Sequence, residues 1–585
     1  MKILPHAPVV LLALLFGCRA TDDAPDRALS PLEATTEFVS SEINGPRALE
    51  TAVRIDEDWW WRWPGTPHFE RTIDHLITEL DRAGYVREAD AADGESLRYR
   101  VEEYELSRPA WEPIRATLTI VGDNEPLLEL DTNRNMIAIG SASTSPGGVE
   151  ALLVDVGAGR RSDFEGKDVE GAIVLGRTGA GSLYRQAVRN GALGALSYRI
   201  PEYNRVERHL DSIPFTRIGR RDEAGGFAVH LSTRALRRLE SALANGPVRV
   251  HVDIETREHT GRERVVVAEA IGDTHGDERI VFSAHVQEPG ANDNASGVAV
   301  QLEMARALAR SVEVQGAPAR TITLIWGDEI RAPARYLKQD EDRADKVRFG
   351  MSLDMVGADP EKTGGVFLVE KMPDPSAVWT RGNDKHTEWG GRPLRVDQVE
   401  PHFFNDFVIS RCKDVAASKD WSFDANPYEG GSDHVPFLHN DIPAVLLWHF
   451  TDEYYHTDGD RVRNLSADVM ANAATVALSS GLILASADAD VASAILDELV
   501  AESKSRLARE LALSKAAIAD GNELENEREI IQTWIQWFDE SFDTIAEVEP
   551  GGVSEWTSAR IAEAKAWLAL EAPAMLTSIE TADGE

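Results

Sequence analysis

Between about residues 263 and 485, short apolar runs alternate with amphipathic stretches, a pattern that few folds accommodate other than a mostly parallel sheet covered by helices. The strand candidates are Arg279 to Ala284, Thr321 to Trp326, Gly350 to Leu353 and Ile442 to Trp448. After Asp293, the residues Val298, Leu302, Ala305 and Ala309 fall on one helical face, with Asn294 or Ser296 suited to cap the helix. In a doubly wound sheet, ligands bind beyond the carboxyl ends of the strands, where loops converge. Metal-competent residues stand in those places: His285 ends one strand and Asp293 follows in its loop, Asp328 and Glu329 end the next, Asp354 the next, and His456 lies after the last. Taken singly, each has a bland explanation as a helix cap, a solvated turn or a surface histidine. As an ordered set at successive strand ends they point to a metal centre.

A chain of 585 residues exceeds what one core supports, so two to four domains are expected. Hydrophobic residues at 43% and charged residues at 27% exclude a mainly disordered chain, and a net charge of −38 with no basic tract argues against nucleic-acid binding. At the amino terminus Lys2 precedes an apolar run, Val9 to Phe16, read as a secretory signal over 1–17. Its ending, Leu15-Phe16-Gly17-Cys18, resembles the lipobox of bacterial lipoproteins. That resemblance implies cleavage before Cys18 and acylation of its sulfur. The expectation is an exported lipoprotein held at a membrane through Cys18 and facing the periplasm or exterior. Residues 18–31 would be the tether. Cys412 would remain as the single internal thiol, without a disulfide partner.

Residues 32–124 carry a tryptophan cluster (Trp59, Trp60, Trp61, Trp63), expected to pack a helix against a sheet rather than to line a substrate cleft, and a helical pattern from Phe69 to Ala83. From 125 to 250 short apolar runs separated by glycine read as β-rich: Ala151 to Gly157, Ala172 to Gly176 and Ala192 to Tyr198. Val154-Asp155-Val156-Gly157, Phe164-Glu165-Gly166-Lys167-Asp168-Val169 and the run from Gly171 to Leu175 resemble the protease-associated domain, which implies a lid or a substrate-restricting wall. The sheet pattern occupies 251–486. Residues 487–585 read as helical, with a break at Glu549-Pro550-Gly551-Gly552.

Five motifs in order resemble the zinc exopeptidase family of bacterial leucyl aminopeptidases, aminopeptidase Y and glutamate carboxypeptidase: Asn292-Asp293-Asn294-Ala295-Ser296-Gly297, Trp326-Gly327-Asp328-Glu329, Leu353-Asp354-Met355-Val356-Gly357, Ser432-Asp433-His434-Val435-Pro436-Phe437 and Tyr455-His456-Thr457. The resemblance covers about 263 to 485 and, by extension, the helix and strand near 65 to 120. It implies two zinc ions bridged by Asp293, one held by His285 and Asp354 and the other by Glu329 and His456. Asp328 would be the general base and Tyr455 the hydroxyl that stabilises the oxyanion. The implied activity is hydrolysis of peptides from one end by a metal-activated water.

The chain departs from the family at two positions. Gln287 stands where an aspartate usually orients the first histidine, and its amide oxygen is expected to accept the ring hydrogen bond without charge. Asp328 stands where a glutamate is usual, one methylene shorter. The alternatives are a weakly active or inactive receptor on the same fold, a one-zinc cyclase of the glutaminyl cyclase kind, and a carboxypeptidase using Arg331, Arg335 or Arg381 to receive a terminal carboxylate. The acidic balance tilts the reading toward an aminopeptidase. The aromatics Trp379, Trp389, Phe403, Phe404 and Trp421 are candidates for the specificity pocket. The oligomeric state is not fixed by the sequence.

Overall fold

The computed structural model describes residues 29–219 and 225–580, so the expected signal segment and Cys18 lie outside the described residues. A nine-stranded sheet forms the main body, in the order Val86–Arg87, Leu97–Glu105, Arg262–Ala270, Arg320–Gly327, His275–His285, Val347–Leu353, Ala444–Phe450, Val366–Glu370, Phe423–Asn426. Its centre is parallel, with Arg320–Gly327, His275–His285, Val347–Leu353 and Ala444–Phe450 running side by side. Antiparallel pairings of Arg262–Ala270 and Val366–Glu370 flank this block, so the sheet as a whole is mixed.

The central strands are buried almost throughout, which is why they read as continuous apolar runs. Both faces of the sheet are covered. The ring of Phe282 abuts Gly481 of the helix Ala467–Ala485, while Gly350 abuts the ring of Phe437. Because Gly350 is in register with Val281 rather than Phe282, these two contacts lie on opposite faces. The helix Ala295–Gln315 follows the loop that carries Asp293 and is capped by Asn294, whose Oδ1 accepts the Gly297 N–H at 2.9 Å. A side chain at Gly297 would collide with the Leu353 carbonyl, so glycine lets this helix start against the end of the neighbouring strand.

A second, seven-stranded sheet has the order Leu128–Glu129, Ala110–Ile120, Arg249–His259, Val149–Asp155, Ile173–Gly176, Gly194–Ser197, Phe227–His230. Its last four strands are mutually parallel, and the helix Ala180–Arg189 packs on them. Its strands extend past the expected 125–250 limits on both sides. Ala110–Ile120, expected in the main sheet, instead pairs along its length with Arg249–His259, and Ala116, Leu118 and Ile120 join the second core. The tryptophans divide between the two sheets. Trp61 packs edge-on against Trp60, Trp63 and Trp111 inside this second core, while only Trp59 leans on the main one.

The C-terminal helices Ala489–Ala519, Leu524–Asp543 and Glu555–Glu580 pack on one another, with Trp534, Trp537 and Phe538 buried among them. The break between the last two is pinned by buried Arg320, which donates to the carbonyls of Glu547 and Val548, each at 2.8 Å. Phe403 and Phe404, candidates for the pocket, are core residues packed on Phe349. Trp389 is partly exposed and lies against Gly431.

Candidate metal centre

The parallel strand ends deliver their side chains to one place. His285 is the last residue of its strand, Glu329 follows Gly327 by two positions and Asp354 follows Leu353 directly. One ligand atom from each of these three residues lies within 4.8 Å of the others, and Glu288, Asp293 and His456 form a second such triad. Asp293 faces both imidazoles: its Oδ1 is 3.4 Å from His285 Nε2 and its Oδ2 is 3.2 Å from His456 Nε2. His285 Nε2 is also 3.2 Å from Asp354 Oδ1, and His456 Nε2 is 3.3 Å from Glu288 Oε2. All five residues expected as ligands are therefore brought together, and Glu288 joins them.

The partition differs from the one implied by resemblance, because Glu329 stands with His285 and Asp354 rather than with His456. Gln287 supplies the reason. Its Oε1 accepts the Glu329 N–H at 2.8 Å and its Nε2 donates to Glu329 Oε2 at 3.2 Å. The His285 ring accordingly turns its Nδ1 to the backbone carbonyl of Gln287, at 3.2 Å, and not to the side-chain amide as expected. A carbonyl accepts only an N–H, so this contact fixes a proton on Nδ1 and leaves Nε2, which faces the carboxylates, as the nitrogen that can give up its proton to a cation.

Several buried groups hold these ligands in place. Asn294 clasps the backbone either side of Asp354, donating to the Leu353 carbonyl at 2.9 Å and accepting the Met355 N–H at 3.1 Å. Ser432 Oγ donates to Asp354 Oδ2 at 2.7 Å. Asp433 accepts the Ser283 hydroxyl and the Ile330 N–H, each at 2.5 Å. Asp460 accepts the N–H groups of Asn292 and Asp293 at 2.8 and 3.0 Å, and a side chain at Gly290 would collide with it. Glu288, Ile330, Met355 and His456 all have left-handed backbones, at φ of 88°, 61°, 60° and 60°. Such angles are unfavourable for side-chain-bearing residues and above all for isoleucine, so the surrounding contacts must hold them. Ser432 and Asp433 were visible as a motif without assigned roles; Asp460 had no signal in sequence.

The loop carrying His456 is held from outside the main sheet. Its carbonyl accepts the Phe215 N–H at 2.9 Å and the Asn135 amide at 3.3 Å, and the Phe215 ring lies 4.5 Å from the imidazole. Asn204 donates to the carbonyls of Glu453 and Tyr455 at 3.1 and 3.0 Å. Phe215, Asn135 and Asn204 all belong to segments linking the strands of the second sheet.

The electrostatics are those of carboxylates crowded without enough positive charge. Burial alone would lower the His285 pKa, but Asp354, Glu329 and Asp293 raise it well above the ordinary value. Burial likewise opposes Glu288 and Asp293 at His456, which they raise to about 10. Burial, reinforced by Glu288, lifts Asp293 to about 7. Asp328 sits beside the triads; burial, with Glu263 adding repulsion, lifts it to about 6, and Arg331 donates to it at 3.1 Å. Tyr455 stacks on His456 at 3.7 Å, and burial together with Asp293 and Glu288 keeps its hydroxyl protonated. His285 Nε2, Asp354 Oδ1 and Glu288 Oε2 are buried with no hydrogen-bond partner among the described residues. Orphaned donor atoms of these types, converging around a shared carboxylate, fit a pair of divalent cations.

The model of peptidase family M28 matches residues 265–480. Those residues resemble a peptidase family M28 domain. All six residues of the two triads lie within it. Aminopeptidase YwaD of Bacillus subtilis (strain 168) is 25% identical over 352 residues, covering 57% of this chain, and the match spans 66% of that relative's length. The solved structure of a peptidase M28 precursor from Shewanella amazonensis SB2B has a TM-score of 0.55 at 16% identity, covering 78% of this chain and 97% of its own. That of BSAP, a zinc aminopeptidase from Bacillus subtilis, has a TM-score of 0.51 at 20% identity, covering 75% and 94%. Both share the fold of the M28 domain and much of what surrounds it.

Proposed function

We propose that this protein is a zinc-dependent aminopeptidase with a two-ion centre, which hydrolyses peptides outside the cytoplasm. The observation that carries the reading is the pair of triads facing one another across Asp293, with unpartnered nitrogen and oxygen atoms turned inward. His285, Glu329 and Asp354 would hold one ion, Asp293 and His456 the other, with Asp293 shared. Zinc bound there would polarise the scissile carbonyl and lower the pKa of a bound water. Asp328, a buried carboxylate beside the triads, takes the proton of the attacking water and returns it to the leaving amine. Tyr455 keeps its proton and donates a hydrogen bond to the oxygen that gains negative charge.

Retention of every ligand disfavours the inactive-receptor alternative. Two of the arginines considered for a carboxypeptidase are engaged elsewhere, Arg335 with Glu263 and Arg381 with Glu510 and Glu527, while Arg331 is paired with Asp328 at the site itself. A surrounding of carboxylates receives an α-ammonium group better than a terminal carboxylate. Residues 125–250, read as resembling a protease-associated domain, would wall the site through Phe215. The lipobox-like ending at Cys18 would place the enzyme at a membrane, outside the cytoplasm.

The test is hydrolysis of aminoacyl amides and dipeptides against peptides probed only at their carboxyl end, with zinc content measured on the same protein. Zinc-dependent release of the amino-terminal residue is the expected result. A protein that binds no zinc, or that cleaves only from the carboxyl end, would refute the reading.

A further inference from the structure

Glu288 is the one member of the second triad to which resemblance assigns no ion. Its Oε2 lies 3.3 Å from His456 Nε2, the same nitrogen that stands 3.2 Å from Asp293 Oδ2. The residue is 8% exposed, and that oxygen has no hydrogen-bond partner among the described residues. A buried carboxylate oxygen outside hydrogen-bond geometry is costly unless a cation compensates it, and the ion-pair partner of this one, His456, is shared with Asp293. Strand alternation would turn Glu288 to the opposite face from Gln287. The left-handed backbone at Glu288, with φ of 88°, breaks that alternation, and the carboxylate comes into the triad.

The neighbouring contacts leave an opening for it. Gln287 binds both the backbone and the carboxylate of Glu329, and Glu329 stands in the first triad. Without Glu288, the second ion would have only Asp293 and His456 from the protein. With it, each triad holds two carboxylates and one imidazole, and four carboxylates balance the charge of two dications with both imidazoles neutral.

We infer that Glu288 is a direct ligand of the second metal ion, beside Asp293 and His456. The inference rests on the two-ion reading above. In this chain Glu288 takes the place that resemblance gives to Glu329, and the glutamine at 287 is the compensating change that ties Glu329 to the first ion.

The test is zinc titration of metal-free full-length protein against a competing chelator, for wild type, Glu288→Gln, His456→Ala and the double variant. Melting of the metal-free proteins shows that each is folded. Wild type is expected to bind two equivalents. Glu288→Gln is expected to keep one tight equivalent and to weaken the other beyond the roughly 10- to 100-fold loss typical of an outer hydrogen-bond partner. The double variant is expected to bind no more weakly than His456→Ala, because both changes act on one ion. If Glu288→Gln does not fold, Glu288→Asp, which withdraws the carboxylate by one methylene, is read in its place and must also weaken one equivalent. Two zinc equivalents at wild-type affinity in the variant, with only a raised KM for aminoacyl substrates, would make Glu288 the receiver of the substrate ammonium and overturn the inference. Loss of both equivalents alike would overturn it too, as a general structural role. Absence of zinc from wild type would remove the two-ion reading as well, and so is distinguishable from failure of Glu288 alone.

Discussion

The two halves of the metal centre are built by different means. His285, Glu329 and Asp354 stand at or just beyond the ends of three adjacent parallel strands, and the hydrogen bonds of the sheet set their spacing. Glu288, Asp293 and His456 stand on loops, and the loop of His456 is tied down by Asn135, Asn204 and Phe215 from the second sheet. Strand ends are rigid because every residue behind them is paired and buried; loops need outside contacts to reach comparable precision. One half of the site thus depends on the main fold alone, and the other depends on how two bodies of the protein meet.

That contrast can be tested by substitutions, ordered here by expected effect. Asp293→Asn should abolish it, since both halves lean on this carboxylate: weakening of both zinc equivalents by about 100- to 5,000-fold is expected from the ~3–5 kcal/mol lost when a buried charge pair is broken, with peptide hydrolysis lost alongside. One equivalent bound normally would show that Asp293 is not shared. Asp328→Asn should leave both halves intact, with two zinc ions retained and kcat down about 100- to 10,000-fold. Unchanged kcat would remove Asp328 from the role of base.

Smaller changes sharpen the contrast further. Ser432→Ala removes the hydroxyl that fixes Asp354 and is expected to weaken only the first equivalent by about 10- to 100-fold, while Asn204→Ala weakens only the second by a similar or lesser factor. If both variants weaken the same equivalent in competition titrations, the two halves are not separately supported. The smallest effect concerns Cys412, buried in the main core, where burial pushes the thiol pKa far above its ordinary value. Alkylation of the folded protein should fail with and without chelator, because that core does not lean on the metals. Rapid labelling after zinc removal would show that it does.

The first half was legible because its cause is local. A buried parallel strand must be apolar, and the first polar residue after it marks the strand end, so Ala284-His285, Trp326-Gly327-Asp328-Glu329 and Leu353-Asp354 announce themselves. The motifs that resemble those of zinc exopeptidases added roles for Asp293 and His456. Extending the resemblance back to residue 120 misplaced Ala110–Ile120, whose alternating pattern is that of any half-buried strand and says nothing of which sheet it will join. Nor did it say which sheet the tryptophans would pack on, since they fill whichever core lies nearest in space.

By itself the sequence determined the α/β architecture, the strand ends and the identities of five converging side chains, because burial and periodicity are properties of short segments. Only the tertiary structure decided that Glu329 belongs with His285, that Glu288 turns inward, and that residues near 135, 204 and 215 hold the loop of His456. Those choices depend on hydrogen bonds between groups tens to hundreds of residues apart, and on backbone angles that a segment adopts only when its neighbours oblige it.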